Sequence, residues 1–179
     1  MHALLFLALA AGPLDGVKTI AAPGSPGNVV MWKVGEPLVV DRDGRVMVGA
    51  VETGAGRIIA IGHNGFLGSF KTGDSGKFLQ QSVDWLAFGK ASKVICSHGE
   101  LAGFLKGQSG WPDWRGGRGE GAVVDAHQVK PKDVPAIQSY VRGGGGLLIA
   151  ATGWGWQQGS GLSMDQFDAN KALAPFGIG

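Results

Sequence analysis

Tyr140-Val141-Arg142-Gly143-Gly144-Gly145-Gly146-Leu147-Leu148-Ile149-Ala150-Ala151-Thr152-Gly153-Trp154-Gly155-Trp156 is the stretch that decides the fold. It reads as a helix end, a glycine stop, a buried strand and then a loop bearing two tryptophans. Consecutive glycines let the chain leave a helix at positive φ without a Cβ penalty. Leu147–Ala151 is short, apolar and uninterrupted, the pattern of a strand covered on both faces in a parallel sheet. Ligands of such sheets bind beyond the carboxyl ends of the strands. Thr152–Trp156 therefore falls where a site belongs.

Upstream of that stretch, strands and helices alternate. Pro131–Arg142 predicts a helix with Val134, Ile137, Tyr140 and Val141 inward, and Ala122–Asp125 a strand. Gly107–Gly121 is a loop rich in Gly, Trp and Arg, preceded by a short helix at Gly99–Lys106 and a strand at Lys93–Cys96. Lys77–Phe88 predicts a helix, because Phe78, Leu79, Val83, Leu86 and Ala87 recur at spacings of three and four. This alternation implies an α/β fold with a mostly parallel sheet and right-handed crossovers. Ahead of it, Val46–Glu52, a Thr53–Gly56 turn and Arg57–Gly62 form an N-terminal β-hairpin unit. Asn28–Trp32 and Pro37–Val40 are further strand candidates, and Asp41–Gly44 is a turn. Asp165–Phe176, downstream, reads as one more helix.

A chain of 179 residues is one domain with a real core. Sixteen basic against fourteen acidic residues give +2, too balanced to indicate nucleic acid or an anionic membrane surface as partner. The 33 glycines exceed the usual share of roughly 7% but show no collagen-like period, so they mark a turn-rich globular domain. Cys96 is the single cysteine and rules out an internal disulfide. Met1–Gly12 reads as a secretion signal, with Ala8-Leu9-Ala10 before a cleavage point, and predicts a secreted or cell-envelope protein. Its start lacks Lys and Arg, which leaves a buried first strand or helix as the alternative. The run is too short to span a bilayer, which takes about 20 residues. The close of the chain, with no evident cap or polar tail after Gly177, reads as a truncation of a longer protein.

Several phrases together carry a resemblance. They are Gly54–Leu67 (GAGRIIAIGHNGFL), Val83-Asp84-Trp85-Leu86, the glycine-rich strand with Trp154 and Trp156, and Asn170-Lys171 leading to Ala174–Ile178. The sequence over 14–179 resembles the N-terminal region shared by channel-associated factors and enhancin-like secreted zinc metallopeptidases. That resemblance implies a flavodoxin-like domain related to class I glutamine amidotransferases, placed ahead of a zinc peptidase domain. Val123–Ile149 is also similar to sugar-utilisation proteins of the same superfamily, which share the turn after Tyr140-Val141-Arg142.

The chemistry expected of such relatives is absent from this chain. A zinc peptidase needs His-Glu-x-x-His on a helix. His63 is followed by Asn64-Gly65 and His98 by Gly99-Glu100, so neither starts that motif. In the related amidotransferases a nucleophilic cysteine follows the glycine-rich strand, where this chain has Ala151 or Thr152. His63 resembles their catalytic histidine, but Gly65 stands where the partner carboxylate belongs and the segment order is permuted. Glutaminase chemistry is therefore expected to be lost. Cys96 is the remaining nucleophile, at a strand end before a helix whose N-terminus would lower a thiol pKa, with His98 or His127 as partner. The alternative is a small buried residue.

The strand ends also gather Ser97, His98 and Glu100, then Asp125 and His127, then Thr152, Trp154 and Trp156. No short ligand spacing supports a metal there, and no cofactor is expected. Aromatic platforms beside a few polar groups are what a sugar site requires. Trp111, Trp114, Trp154 and Trp156 are the candidate platforms, with Asp125 and Thr152 as polar contacts. Trp111-Pro112-Asp113-Trp114-Arg115, in a polar glycine-rich loop, is the expected exposed pair. Packing of these tryptophans over the top of the sheet is the alternative. Two functions follow from different classes. One is a non-catalytic accessory module of a larger secreted metallopeptidase-like protein, recognising glycans or glycoproteins. The other is a small hydrolase or amidotransferase-type enzyme using Cys96 with His98 or His127. A third option is a scaffold that takes a protein partner on its aromatic loop.

Overall fold

A computed structural model describes residues 12–179 other than Ala22 and Val34. The leader expected at Met1–Gly12 lies, but for Gly12, outside the described residues. Among the described residues seven strands form one sheet: β1 (Glu36–Val40), β2 (Val46–Thr53), β3 (Gly56–Ile61), β4 (Lys93–Cys96), β5 (Gln108–Ser109), β6 (Glu120–Asp125) and β7 (Gly146–Ala150). Their order across the sheet is β1-β2-β3-β7-β6-β4-β5. The first three pair antiparallel, and every pairing from β3 onward is parallel. The expected hairpin unit and mostly parallel sheet are both present.

The sheet has a hydrophobic layer on each face, because successive strand side chains alternate sides. Ile58, Ala60, Ala122, Val124, Leu147 and Ile149 enter one core, which is covered by α4 (Asp133–Arg142) and α6 (Asp168–Leu173). Ile59, Ile61, Val123, Leu148 and Ala150 enter the other, beneath α1 (Gly65–Gly68), α2 (Ser75–Leu86) and α3 (Gly99–Phe104). The result is a three-layer α/β/α domain with β7 at its centre, buried along its whole length.

The glycine run before β7 does two jobs. Gly143 caps α4 at φ −77, and only Gly144 of the four takes a positive φ, +101. Gly146 is there for space: a Cβ on it would stand 2.6 Å from the Leu86 carbonyl oxygen, where α2 crosses the start of β7.

Three expectations need correction. Thr152–Trp156 is not a loop but opens α5 (Gly153–Ser160), with the Trp156 N–H donating to the Thr152 carbonyl at 3.0 Å. Its glycines allow close packing and not a flexible turn, since a Cβ on Gly153 would meet Met164 Cε at 2.9 Å. Asn28–Trp32 is extended but stays outside the sheet, its Val30 exchanging backbone hydrogen bonds with Gly179 at 2.7 and 2.9 Å. The single helix expected over Asp165–Phe176 breaks into a 3-10 turn, α6 and a second 3-10 turn. Extended Phe167 separates the first two, while Pro175 and Gly177 (φ +81) tighten the last. β5 lies inside the Gly107–Gly121 stretch expected to be a loop.

Candidate ligand-binding site at the strand ends

The carboxyl ends of β3, β7 and β6 open onto a cavity of about 390 Å³. Its floor is apolar: Ala60 from β3, Ile149 from β7, and Val29, Met164 and Phe167 from the segments that fold over them. Asn28, Arg45, Gln157 and Asn170 add polar groups, and Trp154 forms part of the wall. Trp154 is 44% exposed, and its indole Nε1–H donates to the Ser25 carbonyl at 2.7 Å, which fixes the ring against the incoming N-terminal segment. An apolar bowl with a few fixed polar groups is the usual make-up of a small-molecule site.

Beside the cavity, polar residues from four loop starts join in one network. The Thr152 hydroxyl donates to Asn64 Oδ1 at 2.9 Å, and Asn64 Nδ2 donates to Asp125 Oδ2 at 2.9 Å. Asp125 Oδ1 accepts the His127 N–H at 3.0 Å, and the Asp125 N–H donates to Ser97 Oγ at 2.9 Å. The Thr152 N–H, at the start of α5, donates to His127 Nε2 at 3.2 Å. His63 stands apart, its Nδ1 accepting the Gly65 N–H at 2.9 Å. Burial, and then the neighbouring His127, lower its pKa below the ordinary histidine value. Each member thus has a partner, as Thr152, Asn64, Asp125, Ser97 and His63, buried or half-buried, require.

This arrangement ties each of its groups to another residue of the network. The residue after β7 that could attack a substrate is Thr152, and its hydroxyl is committed to Asn64. Cys96 is 0% exposed, and burial pushes its thiol up rather than down, a correction to the expected activation. Its Sγ meets only the backbone N–H and carbonyl of His98, both at 3.4 Å. The His98 ring instead caps α3, Nδ1 accepting from the Leu101 N–H at 3.3 Å. His127 is engaged with Thr152. Among the described residues, no group of three or more His, Cys, Asp or Glu converges as a metal site.

The four tryptophans divide. Trp154 faces the cavity, and Trp156 packs on Phe167 with ring centroids 4.7 Å apart. The expected exposure of the Trp111–Trp114 pair is corrected. Trp114 is only 8% exposed, edge-on to Tyr140 at 5.7 Å, because its large apolar ring completes the core beside α4. Trp111 is half-buried against Trp114 at 5.8 Å and borders a second, open groove next to His127. Asn64, the centre of the polar network, was missed as a site residue, although its place just past β3 signals it. Asn28, Met164, Phe167 and Asn170 carry no local signal, since they meet only when distant segments fold over the sheet.

The family model described as "TRPM8, N-terminal domain" (TCAF_N) matches residues 14–179. The sequence is 29% identical to TRPM8 channel-associated factor 2 of Bos taurus, over 92% of this chain and 19% of that protein. It is 31% identical to TRPM8 channel-associated factor 1 of Homo sapiens, over 79% of this chain and 16% of that protein. Among solved structures, the IMPa metallopeptidase of Pseudomonas aeruginosa in complex with an O-glycopeptide superposes with a TM-score of 0.68 at 19% identity, over 95% of this chain and 21% of its own. IMPa in complex with T-antigen gives a TM-score of 0.69 at 18% identity, with the same two coverages of 95% and 21%. The chain spans roughly a fifth of the length of these proteins. At such identities the structural likeness is one of fold.

Proposed function

The chain belongs to the TCAF_N family, and from that premise we propose that it is a non-catalytic binding module that recognises glycans or glycoproteins. We further assign it to a larger, secreted or cell-envelope, zinc-metallopeptidase-like protein, and relate its fold to class I glutamine amidotransferases that have lost their chemistry. One observation carries the reading: the strand ends hold a cavity walled by Trp154, while the hydroxyl that follows β7 is hydrogen-bonded to Asn64. A sugar ring has an apolar face for the indole and hydroxyls for Asn28, Gln157 and Asn170. The IMPa structures that hold an O-glycopeptide and T-antigen support glycans as the ligand class.

The test is a titration of the chain with T-antigen disaccharide, followed by tryptophan fluorescence and calorimetry. The expected result is a saturable change that Trp154→Ala abolishes while the variant keeps a cooperative melting transition. A flat titration with T-antigen and with an O-glycopeptide sinks the proposal. For the Cys96 enzyme no observation speaks, and a thiol reagent is expected to label Cys96 only after unfolding. Rapid labelling of the native protein would reopen that possibility.

A further inference from the structure

We infer that the second groove, between the β6–α4 connection and the Trp111 loop, is a subsite for an acidic saccharide, one bearing a carboxylate or sulfate ester. The inference rests on the glycan reading above and adds the charge class of the glycan. The groove measures about 380 Å³ and is lined by Trp111, His127, Gln128, Lys130, Lys132 and Asp133. That volume lies at the lower end of small-ligand sites, roughly 300–1,000 Å³.

Its polar side chains are nearly all donors. Lys130 and Lys132 are exposed, and among the described residues neither ammonium is paired with a carboxylate. The one acid, Asp133, is buried and its Oδ2 accepts the Lys130 N–H at 3.0 Å, so it serves the start of α4 and not a ligand. His127 uses Nε2 to accept the Thr152 N–H, which leaves Nδ1 as its second polar atom. The Gln128 amide adds two N–H groups. A groove with two exposed ammonium groups, whose one carboxylate is already engaged by the backbone, selects a ligand with negative charge through charge-assisted hydrogen bonds.

The apolar side of the groove selects a sugar over an acidic peptide. Trp111 is its only apolar side chain, held edge-on by Trp114 at 5.8 Å. One rigid indole offers a flat platform for a pyranose face, whereas the apolar side chains of a peptide would find no pocket to enter. His127 also links this groove to the network beside the cavity, through Thr152 at the start of α5. A glycan whose neutral part lies in the cavity, beside Ala151 and Gly153, and whose acidic part lies in the groove would span that link.

Calorimetric titration of the chain with T-antigen disaccharide and with its sialylated form tests the inference, at low salt and at about 0.15 M. The sialylated glycan is expected to bind roughly fivefold more tightly at low salt, the size of one exposed ion-pair contact. Higher salt should shrink that advantage. Lys130→Glu with Lys132→Glu should abolish it while leaving affinity for the neutral glycan unchanged, and Lys130→Ala with Lys132→Ala should abolish it too if the reversed charges prevent folding. Equal affinity for both glycans overturns the acidic subsite and leaves the cavity reading standing. If the unsubstituted chain binds the sialylated glycan but not the neutral one, and Trp154→Ala leaves that sialylated binding intact, the groove is supported and the cavity overturned. A glutamate-rich peptide bound as tightly as the sialylated glycan overturns the saccharide class. Failure of either glycan to bind overturns both readings.

Discussion

Thr152 shows how one side chain can hold several elements together. Its hydroxyl reaches Asn64 beyond β3, its amide reaches His127 beyond β6, and it stands itself between β7 and α5. Thr152→Val keeps the shape and removes the hydroxyl, leaving Asn64 Oδ1 without its donor. The expected loss is about 1–2 kcal/mol, seen by calorimetry as a melting temperature lower by roughly 2–8 °C. His63 makes a second prediction. Burial and then His127 hold its pKa below 6.5, so the unfolded chain takes up the proton first. The stability supplied by neutral His63 is complete above that unfolded value and is lost as pH falls through the lower folded one. Melting temperature should therefore decline on acidification from about pH 7.5 to about pH 5, and His63→Gln should make the decline shallower. An unchanged slope in that variant would remove His63 as a contributor.

At the scale of elements, the glycines separate into those that need space and those that do not. Gly146 lets α2 lie directly on β7, so Gly146→Ala forces the Leu86 turn away from the sheet. The expected cost is about 1–3 kcal/mol, read as a lower urea midpoint. Gly159, inside α5, has nothing within 4 Å of an added Cβ. Gly159→Ala should stabilise by roughly 0.5–1 kcal/mol through helix propensity alone. If both substitutions move the midpoint the same way, this division is wrong. The contrast also explains why α5 leaves no helical signal in the sequence. Gly153, Gly155 and Gly159 depress local helix propensity, and the helix forms because Trp156 docks on Phe167 and Gly153 fits against Met164.

For the whole molecule, the segment before β1 and the last residues of the chain close one side of the sheet together. Ile178 is 0% exposed and bridges to Met31, while Gly179 and Val30 exchange backbone hydrogen bonds. Ile178→Ala should cost about 2–5 kcal/mol as a core truncation. Hydrogen exchange should show the Val30 and Trp32 amides, which donate to Gly179 and Gly177, losing protection in that variant. Since Asn28 and Val29 line the cavity, glycan affinity should fall along with stability. Protection that survives at Val30 would mean the segment is held by Val29 and Val46 instead.

What the sequence by itself determined is everything governed by short-range periodicity and turn chemistry. Two apolar runs joined by the Thr53–Gly56 turn specify the β2–β3 hairpin, and the three-and-four spacing specifies α2 and α4. The apolar runs at β4, β6 and β7, separated by helices, specify the parallel sheet and so the edge on which Asp125, His127 and Thr152 meet. The tertiary structure alone decided what lies between distant segments. It buried Trp114 and left Trp154 open, shut Cys96 beneath α2 and α3, turned Thr152–Trp156 into the start of a helix, and built the cavity from residues as far apart as Val29 and Asn170. The physical reason is that exposure and pocket shape depend on contacts across the sheet, which leave no period in the chain. Backbone propensity is local; packing is not.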